Sequence, residues 1–318
     1  MSAPILTISI VHFNTSELTQ HCIQSALKIL DSSSLAKLFE ISIVDNKSEV
    51  EDYKKLEGFV KNLNRDDVFI YRNCVNSGFG LGCMLSLNKS AAEYIAFINS
   101  DTFFKEDCFT PLIDFMRVNP SAGAITPQHM DGEGNAIRSY SHFDTFGSRI
   151  FGNWLSRSSG KEQGAPSPSI AGSAQSVDFI FGSFMLVRRD AFSQVGGFDP
   201  NIFLYYEEMD LCFRLKNAGY SSHFFPGVSF FHLGNGSSGG VTEVLRLESL
   251  LSMIYVIRKH RGALYGFAFF LALLFQFALK APFKSRNRRL LICLFKAAIP
   301  QACSHRLSQS CNFDVVNR

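Results

Sequence analysis

Asn99-Ser100-Asp101 follows the apolar run Ala96-Phe97-Ile98, so an amide, a hydroxyl and a carboxylate emerge where a strand would end. Hard divalent cations prefer such oxygen ligands, and the carboxyl ends of strands in an open α/β sheet are where nucleotides bind. Far downstream, Glu207, Glu208 and Asp210 form a second acidic group, and His232 closes another apolar run ahead of a glycine loop. An Asx turn accounts for the first group taken alone, and attraction to a helix N-terminus accounts for one acid of the second better than for three. A lone histidine on a strand is commonly a half-buried core residue. Taken together, the residues suit a site for a divalent cation and a diphosphate.

The elements that must carry these groups read as alternating strands and helices. Residues 5 to 13 form a β-branched run. Thr15 or Ser16 can cap the next helix, whose buried face is expected at Leu18, Cys22, Ala26 and Ile29. The pattern continues as strand 41–45, helix 50–62, strand 68–72, helix 79–92 and strand 94–99, which predicts a parallel, doubly wound sheet with its site at the strands' carboxyl ends. An apolar strand is expected from Val177 to Leu186, a helix from Glu207 to Asn217 stopped by Gly219, and a strand over 222–232. Residues 140–176 are rich in Ser and Gly and contain Trp154, Pro166 and Pro168, so a mobile loop is expected there.

Gly78, Gly80 and Gly82 suggest close backbone approach to a ligand. The third glycine comes too early for a dinucleotide fingerprint and no well-placed ribose acid follows, which excludes a Rossmann dehydrogenase.

With 318 residues, 46% of them hydrophobic, the chain can bury a full core and is not a disordered protein. Its net charge of +3 conceals an asymmetry: residues 241–318 carry 12 Lys and Arg against 3 Asp and Glu, while residues 1–240 carry 19 against 25. A basic tail rich in Phe and Leu points to an anionic membrane surface rather than nucleic acid. From Gly262 to Leu279 no residue is charged, and Arg258-Lys259-His260-Arg261, Lys280 and Lys284 flank the stretch. A helix of that length is about 27 Å long, marginal for a bilayer span. The second apolar piece, 290–299, is too short to return. A helix pair lying in the membrane interface is the expectation, with a true span or a packing or dimer-forming helix as alternatives. The scattered cysteines (Cys22, Cys74, Cys83, Cys108, Cys212, Cys293, Cys303, Cys311) read as reduced thiols. The N-terminal apolar run is strand-length and lacks a positive preceding region, so it reads as a strand and not as a signal peptide.

Several segments occur in a telling order. They are Ile10-Val11-His12-Phe13-Asn14, Ile43-Val44-Asp45-Asn46-Lys47-Ser48, Asn76-Ser77-Gly78-Phe79-Gly80, Ile98-Asn99-Ser100-Asp101-Thr102, Gly182-Ser183-Phe184-Met185, Gly196-Gly197-Phe198-Asp199 and Leu204-Tyr205-Tyr206-Glu207-Glu208-Met209-Asp210. The set resembles the inverting family-2 glycosyltransferases of the GT-A fold, in particular the bacterial branch that holds rhamnosyltransferases, over residues 5 to 235.

The resemblance implies an α/β, Rossmann-like catalytic domain over residues 1–240, its mostly parallel central sheet flanked by helices. The nucleotide part would lie in 1–130 and the acceptor and catalytic part in 177–240. The basic, apolar tail over 241–318, beyond the resemblance, is expected from its own charge and apolar stretch to be helical and membrane-associating. The resemblance implies transfer of a sugar from a nucleoside diphosphate donor, dTDP-rhamnose first and UDP-hexose next. The acceptor would be a lipid-linked saccharide in bacterial surface polysaccharide (O-antigen or capsule) assembly. Asp101 and His232 would hold Mg²⁺ or Mn²⁺. Asn14, Thr15, Asp45, Asn76, Gly78, Gly80, Asn99, Ser100, Gly182 and Ser183 would line the donor site, with Asp45 on the nucleobase. Glu208 stands where the family carries its catalytic base, normally Asp, with Glu207 a rival for that role and Asp210 orienting the site. Asn99 stands where many members have a first Asp, and Met84 where relatives usually have Asn. The implied location is the cytoplasm, peripheral to the inner face of the membrane, with a homodimer left open. A metal-dependent nucleotidyltransferase and a non-catalytic nucleotide-sugar-binding subunit are the alternatives.

Overall fold

A computed structural model describes residues 3–87, 90–143, 173–234 and 243–280, with residues 282, 288 and 291. Most of the loop expected over 140–176, including Trp154, Pro166 and Pro168, lies outside the described residues, as do Lys284, nearly all of 290–299, and Cys293, Cys303 and Cys311.

The chain alternates strand and helix through its first half: β1 (Leu6–His12), α1 (Ser16–Leu30), β2 (Phe39–Asp45), α2 (Val50–Asn62), β3 (Val68–Arg72), α3 (Phe79–Ser86) and β4 (Tyr94–Asn99). There follow β5 (Thr102–Phe103), α4 (Phe109–Val118), β6 (Ala122–Met130), β7 (Ala136–Ile137), β8 (Tyr140–Ser141), β9 (Gln175–Val177), β10 (Phe179–Ile180), β11 (Phe184–Arg188), α5 (Arg189–Gln194), α6 (Glu207–Asn217) and β12 (Ser221–His232). The last described helices are α7 (Glu243–Arg261) and α8 (Ala263–Lys280).

The main sheet runs β3-β2-β1-β4-β11-β6-β12-β5. Its first four strands are mutually parallel, β11 is antiparallel to both β4 and β6, and β12 is parallel to β6. Chain order reverses between β1 and β4, and that switch point opens a crevice at the strands' carboxyl ends. Register aligns those ends: His12 pairs with Asp45, and Val11 with Asn99.

Ile8, Ile10, Ile41, Ile43, Ala96 and Ile98 are buried in one core with Cys22, Ile23, Ala26 and Leu30 of α1. The buried face of α1 is turned from the expected one: Thr19, Cys22, Ile23, Ala26, Leu27 and Leu30 point inward, while Leu18 and Ile29 are half-buried. Thr19 belongs on that face because its hydroxyl meets the buried His12 ring, a contact that counting only apolar positions overlooks. The single strand expected from Val177 to Leu186 is three short ones. Gly182 and Ser183 leave the ladder in a turn, and the Ser183 carbonyl accepts from the Asn99 N–H at 3.1 Å. Among the described residues α3 ends at Ser86, short of the expected 92.

Two compact units are present. One contains the sheet and its helices up to Phe198, then Glu208 to the end of β12; the other joins Asp199–Glu207 to the C-terminal helices. In the second unit the Asp199 carboxylate accepts from the Tyr255 hydroxyl at 2.9 Å and pairs with the Lys259 ammonium at 2.7 Å. The Ser252 hydroxyl donates to the Leu204 carbonyl at 2.8 Å. Tyr206 packs against the apolar cluster formed by α7 and α8. The segment leading into Glu207 and Glu208 is thus pinned by α7. It turns through Tyr205 and Tyr206, two non-glycine residues in the left-handed region (φ 67° and 70°), which persists only where packing enforces it.

Candidate functional site

β4 ends at Asn99, and the turn Ser100-Asp101 leads into β5, whose two residues pair antiparallel with the end of β12. That pairing sets Thr102 opposite His232 and brings the His232 Nε2 within 2.9 Å of the Asp101 Oδ1. The Asn99 amide nitrogen lies 3.3 Å from the same Nε2. Asp101 is buried, and His232 is half-buried. Adjacent ligands on a six-coordinate Mg²⁺ stand about 3 Å apart, so the Asp101–His232 spacing suits shared coordination. Among the described residues no group of three His, Cys, Asp or Glu could enclose a metal. The pair therefore fits a cation that keeps waters and takes further oxygens from a phosphate ligand, as Mg²⁺ does, rather than one sequestered by protein alone.

Beneath this pair lies His129, buried, stacked on Phe230 with centroids 4.8 Å apart and 5.1 Å from the His232 ring. Burial, then the neighbouring His232, pushes His129 down to about 4, so it is neutral near pH 7.

The loop after β1 serves as a clamp. Asn14 adopts φ 54°; its N–H donates to the Ser48 hydroxyl at 2.9 Å, and its side-chain oxygen accepts from the Glu49 N–H at 2.8 Å. Thr15 opens α1, but its hydroxyl does not cap the helix. It sits instead 3.1 Å from the Ser100 hydroxyl and 3.3 Å from the His12 Nδ1. His12 is fully buried, with Nδ1 2.9 Å from the Thr19 hydroxyl and Nε2 2.8 Å from the Asp52 carboxylate. Desolvation lowers its pKa, and the nearby acids Asp52 and Asp45 only partly restore it. Asp45 is also fully buried. One oxygen accepts from the Ser48 N–H at 3.1 Å, and the other faces the Arg72 Nε at 3.2 Å. It stabilises the turn before α2, whose N-cap is Glu49.

Asn46 organises the next loop. Its amide nitrogen donates to the Asn76 side-chain oxygen and the Gly78 carbonyl, both at 2.9 Å, and its oxygen accepts from the Ser77 N–H at 3.0 Å. Gly78, at φ 82°, starts α3, and Gly80 is buried in its first turn. Gly82 meets a packing requirement: a Cβ there would stand 3.0 Å from a Val11 methyl. Met84 likewise closes over backbone, since a Cβ on Gly197 would lie 2.5 Å from its sulfur.

α6 carries the acidic group. Asp210 is fully buried and paired with Arg214 at 2.7 Å, whose Nη1 in turn donates to the Val195 carbonyl at 2.6 Å. Glu207 is buried and Glu208 half-buried. The Glu208 Oε2 has no hydrogen-bond partner among the described residues, and burial pushes the carboxyl up to about 7. Glu208 has no described hydrogen bond or ion pair to Asp101 or His232. Arg188 and Arg189, at the junction of β11 and α5, are engaged by backbone: Arg188 donates to the Met116 carbonyl at 2.5 Å, and Arg189 to the Ala92 carbonyl.

The structure thus joins Thr15, Asn99, Ser100, Asp101, Ser183 and His232 directly, and ties Asn14, Asp45, Asn76 and Gly78 to one another through Ser48 and Asn46. His12, Asp52, Asn46 and His129 were not singled out from the sequence. For His12 and Asn46 the available signal was polarity at a strand end beside Asn14 and Asp45, where a buried side chain must find partners; Asp52 and His129 offered no comparable local signal.

Comparison with known proteins places this geometry. Residues 7–196 match the model for glycosyl transferase family 2. The rhamnosyltransferase WbbL of Escherichia coli (strain K12) is 34% identical over 170 residues, 52% of this chain and 62% of that protein. An N-acetylglucosaminyl-diphospho-decaprenol L-rhamnosyltransferase of Mycobacterium tuberculosis is 37% identical over 91 residues, 28% of this chain and 30% of that protein. Neither match reaches two thirds of the relative's own length. Among solved structures, GalNAc-T7 with UDP, GalNAc and Mn²⁺ superposes with a TM-score of 0.59 at 15% identity, covering 80% of this chain and 48% of that one. S. aureus TarS 1–349 in complex with UDP gives 0.52 at 12% identity, covering 80% and 65%. These two likenesses speak to fold alone, and that fold is the mixed, mostly parallel GT-A sheet. The family match spans more than half of the sequence, and the chain belongs to glycosyl transferase family 2.

Proposed function

We propose that this protein transfers a sugar, with inversion, from a nucleoside diphosphate donor to a lipid-linked saccharide at the cytoplasmic face of a membrane, in bacterial surface polysaccharide assembly. The observation that carries the reading is the Asp101–His232 pair, 2.9 Å apart at the carboxyl end of a family-2 sheet. Both relatives named above are rhamnosyltransferases, which favours dTDP-rhamnose as donor, with UDP-hexose next. The printed name of the mycobacterial relative includes a diphospho-decaprenol, which favours a polyprenyl diphosphate acceptor.

In this account Asp101 and His232 hold Mg²⁺ or Mn²⁺, with Asn99 and Ser100 beside them. The cation, when bound, neutralises charge on the leaving diphosphate. Asn14, Thr15, Asp45, Asn76, Gly78 and Gly80 shape the nucleotide crevice, and Gly182 and Ser183 border the sugar. Glu208 takes the proton from the acceptor hydroxyl as its oxygen bonds to the anomeric carbon and the bond to the diphosphate breaks. A carboxyl raised to about 7 is matched to that task near neutral pH. Asp210, engaged by Arg214, orients the start of α6, and Glu207 borders the base. The same poised carboxyl favours an enzyme over a nucleotide-sugar-binding subunit.

The test is incubation with dTDP-rhamnose or UDP-hexoses, Mn²⁺ and a polyprenyl-diphosphate-linked N-acetylglucosamine, followed by mass spectrometry of the lipid. A mass gain of one sugar is expected. Donor binding without any glycosylated lipid would point to another acceptor, and appearance of a nucleotidylated product would establish a nucleotidyltransferase instead.

A further inference from the structure

Helix α8 packs one face on α7, and its other face is exposed among the described residues. Phe269, Phe270 and Leu273 are buried against Leu247, Leu251, Ile254 and Ile257. Gly262, at φ 90°, makes the turn between the helices, and Gly266 lets them cross closely, since a Cβ there would lie 2.7 Å from the Arg258 Cβ. On the far face Leu264, Phe267, Leu271, Phe275 and Leu279 are 88%, 46%, 48%, 67% and 59% exposed. Their spacing of three and four residues confines them to about 120° of arc. The remaining exposed residues with described burial in α8 are Ala263, Ala268 and Ala278, so this face contains no polar side chain. An uninterrupted apolar stripe on a helix surface marks an interaction site.

Charge indicates the occupant. Arg258, Lys259, His260 and Arg261 close α7 beside one end of the stripe, and Lys280 closes α8 at the other. In a symmetric pairing of two copies along α8, a parallel arrangement sets Arg261 against Arg261 and an antiparallel one sets it against Lys280, so both are opposed by like charge. An anionic lipid surface complements both ends, each basic residue near it adding attraction while the apolar stripe enters the acyl boundary. No described helix is long and apolar enough to cross a membrane.

We propose that the exposed face of α8 docks in the plane of an anionic phospholipid bilayer, with Leu264, Phe267, Leu271, Phe275 and Leu279 inserted and the basic end of α7, with Arg258 and Arg261, at the headgroups. Lys259 is engaged by Asp199 and so anchors the helix pair to the segment before Glu207.

The test uses the full chain and its Phe267→Ser/Leu271→Ser/Phe275→Ser variant, sedimented with vesicles of phosphatidylglycerol and phosphatidylcholine or of phosphatidylcholine alone. Because the three side chains are exposed, circular dichroism and Tm should match wild type. The wild type should bind the anionic vesicles, less well at 1 M salt, and the triple variant should bind at least about 100-fold more weakly, since withdrawing one such side chain from an apolar phase weakens partitioning roughly tenfold or more. Equal binding by the variant would overturn the proposal by placing the contact elsewhere. So would a wild type that stays in the supernatant at low salt, whether because it is a dimer that the variant turns into a monomer or because another segment covers the stripe. Sugar transfer does not enter the readout, so failure of the proposed reaction and failure of the docking surface are seen separately.

Discussion

His232 reaches Asp101 because the short strand β5 folds back along the end of β12, and the 2.9 Å contact fastens two distant segments at the mouth of the crevice. Asp101→Ala should leave the fold intact and abolish metal-dependent nucleotide binding, measured by calorimetry with and without Mn²⁺. His232→Ala should cost about 10- to 100-fold in metal affinity, the usual scale for one supporting interaction at a metal site. Unchanged Mn²⁺ dependence in both variants would remove this pair from the cation site.

Glu208 gives two separable signatures. Acting as base, it must be ionised, so kcat should rise with pH through about 7 and level off above. Glu208→Gln should bind donor normally while kcat falls by about 10² to 10⁴. If Glu207→Gln shows that behaviour instead, the roles are exchanged. The raised pKa also affects stability. Between the ordinary glutamate value of 4.5 and about 7 the folded state holds a proton that the unfolded state has released, so this group's contribution declines as pH rises through that window. Urea titrations of wild type and Glu208→Gln across that range should diverge accordingly.

Buried histidines act in the opposite direction. His129 titrates near 4 when folded and near 6.5 when unfolded, so stability should fall as pH drops from about 6.5 towards 4. His12, its pKa also lowered, adds to the loss. His129→Phe should flatten the acid limb of the stability profile, and an unaltered limb would assign acid sensitivity to other groups. His12→Phe should lower stability by about 1–3 kcal/mol, because it leaves Thr15, Thr19 and Asp52 without their shared partner.

How much of this was legible from residues alone depended on whether local pattern or long-range partnership decided the outcome. Strands 68–72 and 94–99 and helices 50–62 and 207–217 match their expected limits, since hydrophobic period and flanking breakers set them locally. Asp101 and His232 could be named from the ordered motifs, but their contact needed β5, a two-residue strand too short to carry a sequence signal. Thr15 looked like a helix cap because of its place; the ring of His12 and the hydroxyl of Ser100 gave it other partners. Asp199 looked like one more acid of the Gly-Gly-Phe-Asp motif, and only the fold shows it held by Tyr255 and Lys259.

That clasp has a kinetic consequence. Burial works to raise the Asp199 pKa, but the Lys259 ammonium, the Asn201 N–H and the Tyr255 hydroxyl outweigh it and hold the carboxyl below its ordinary value. Asp199→Ala releases the segment that delivers Glu207 and Glu208, so kcat should drop by up to about 100-fold through misplacement of the base. Nucleotide affinity should stay near wild type, because Asp199 bonds Asn201, Tyr255 and Lys259 and none of the nucleotide-crevice residues. Comparable losses in affinity and kcat would show that the segment supports the whole site.

The central claim is donor turnover at a cation site served by Glu208. It is tested most directly by following nucleoside diphosphate release from dTDP-rhamnose and UDP-hexoses, with Mn²⁺ and lipid-linked acceptor, by wild type and Glu208→Gln side by side. Mn²⁺-dependent release by the wild type from at least one donor is expected, with a variant of unchanged donor Kd that releases it about 10² to 10⁴ times more slowly. Equal rates from the two proteins, or release by the wild type that ignores Mn²⁺, would contradict the claim.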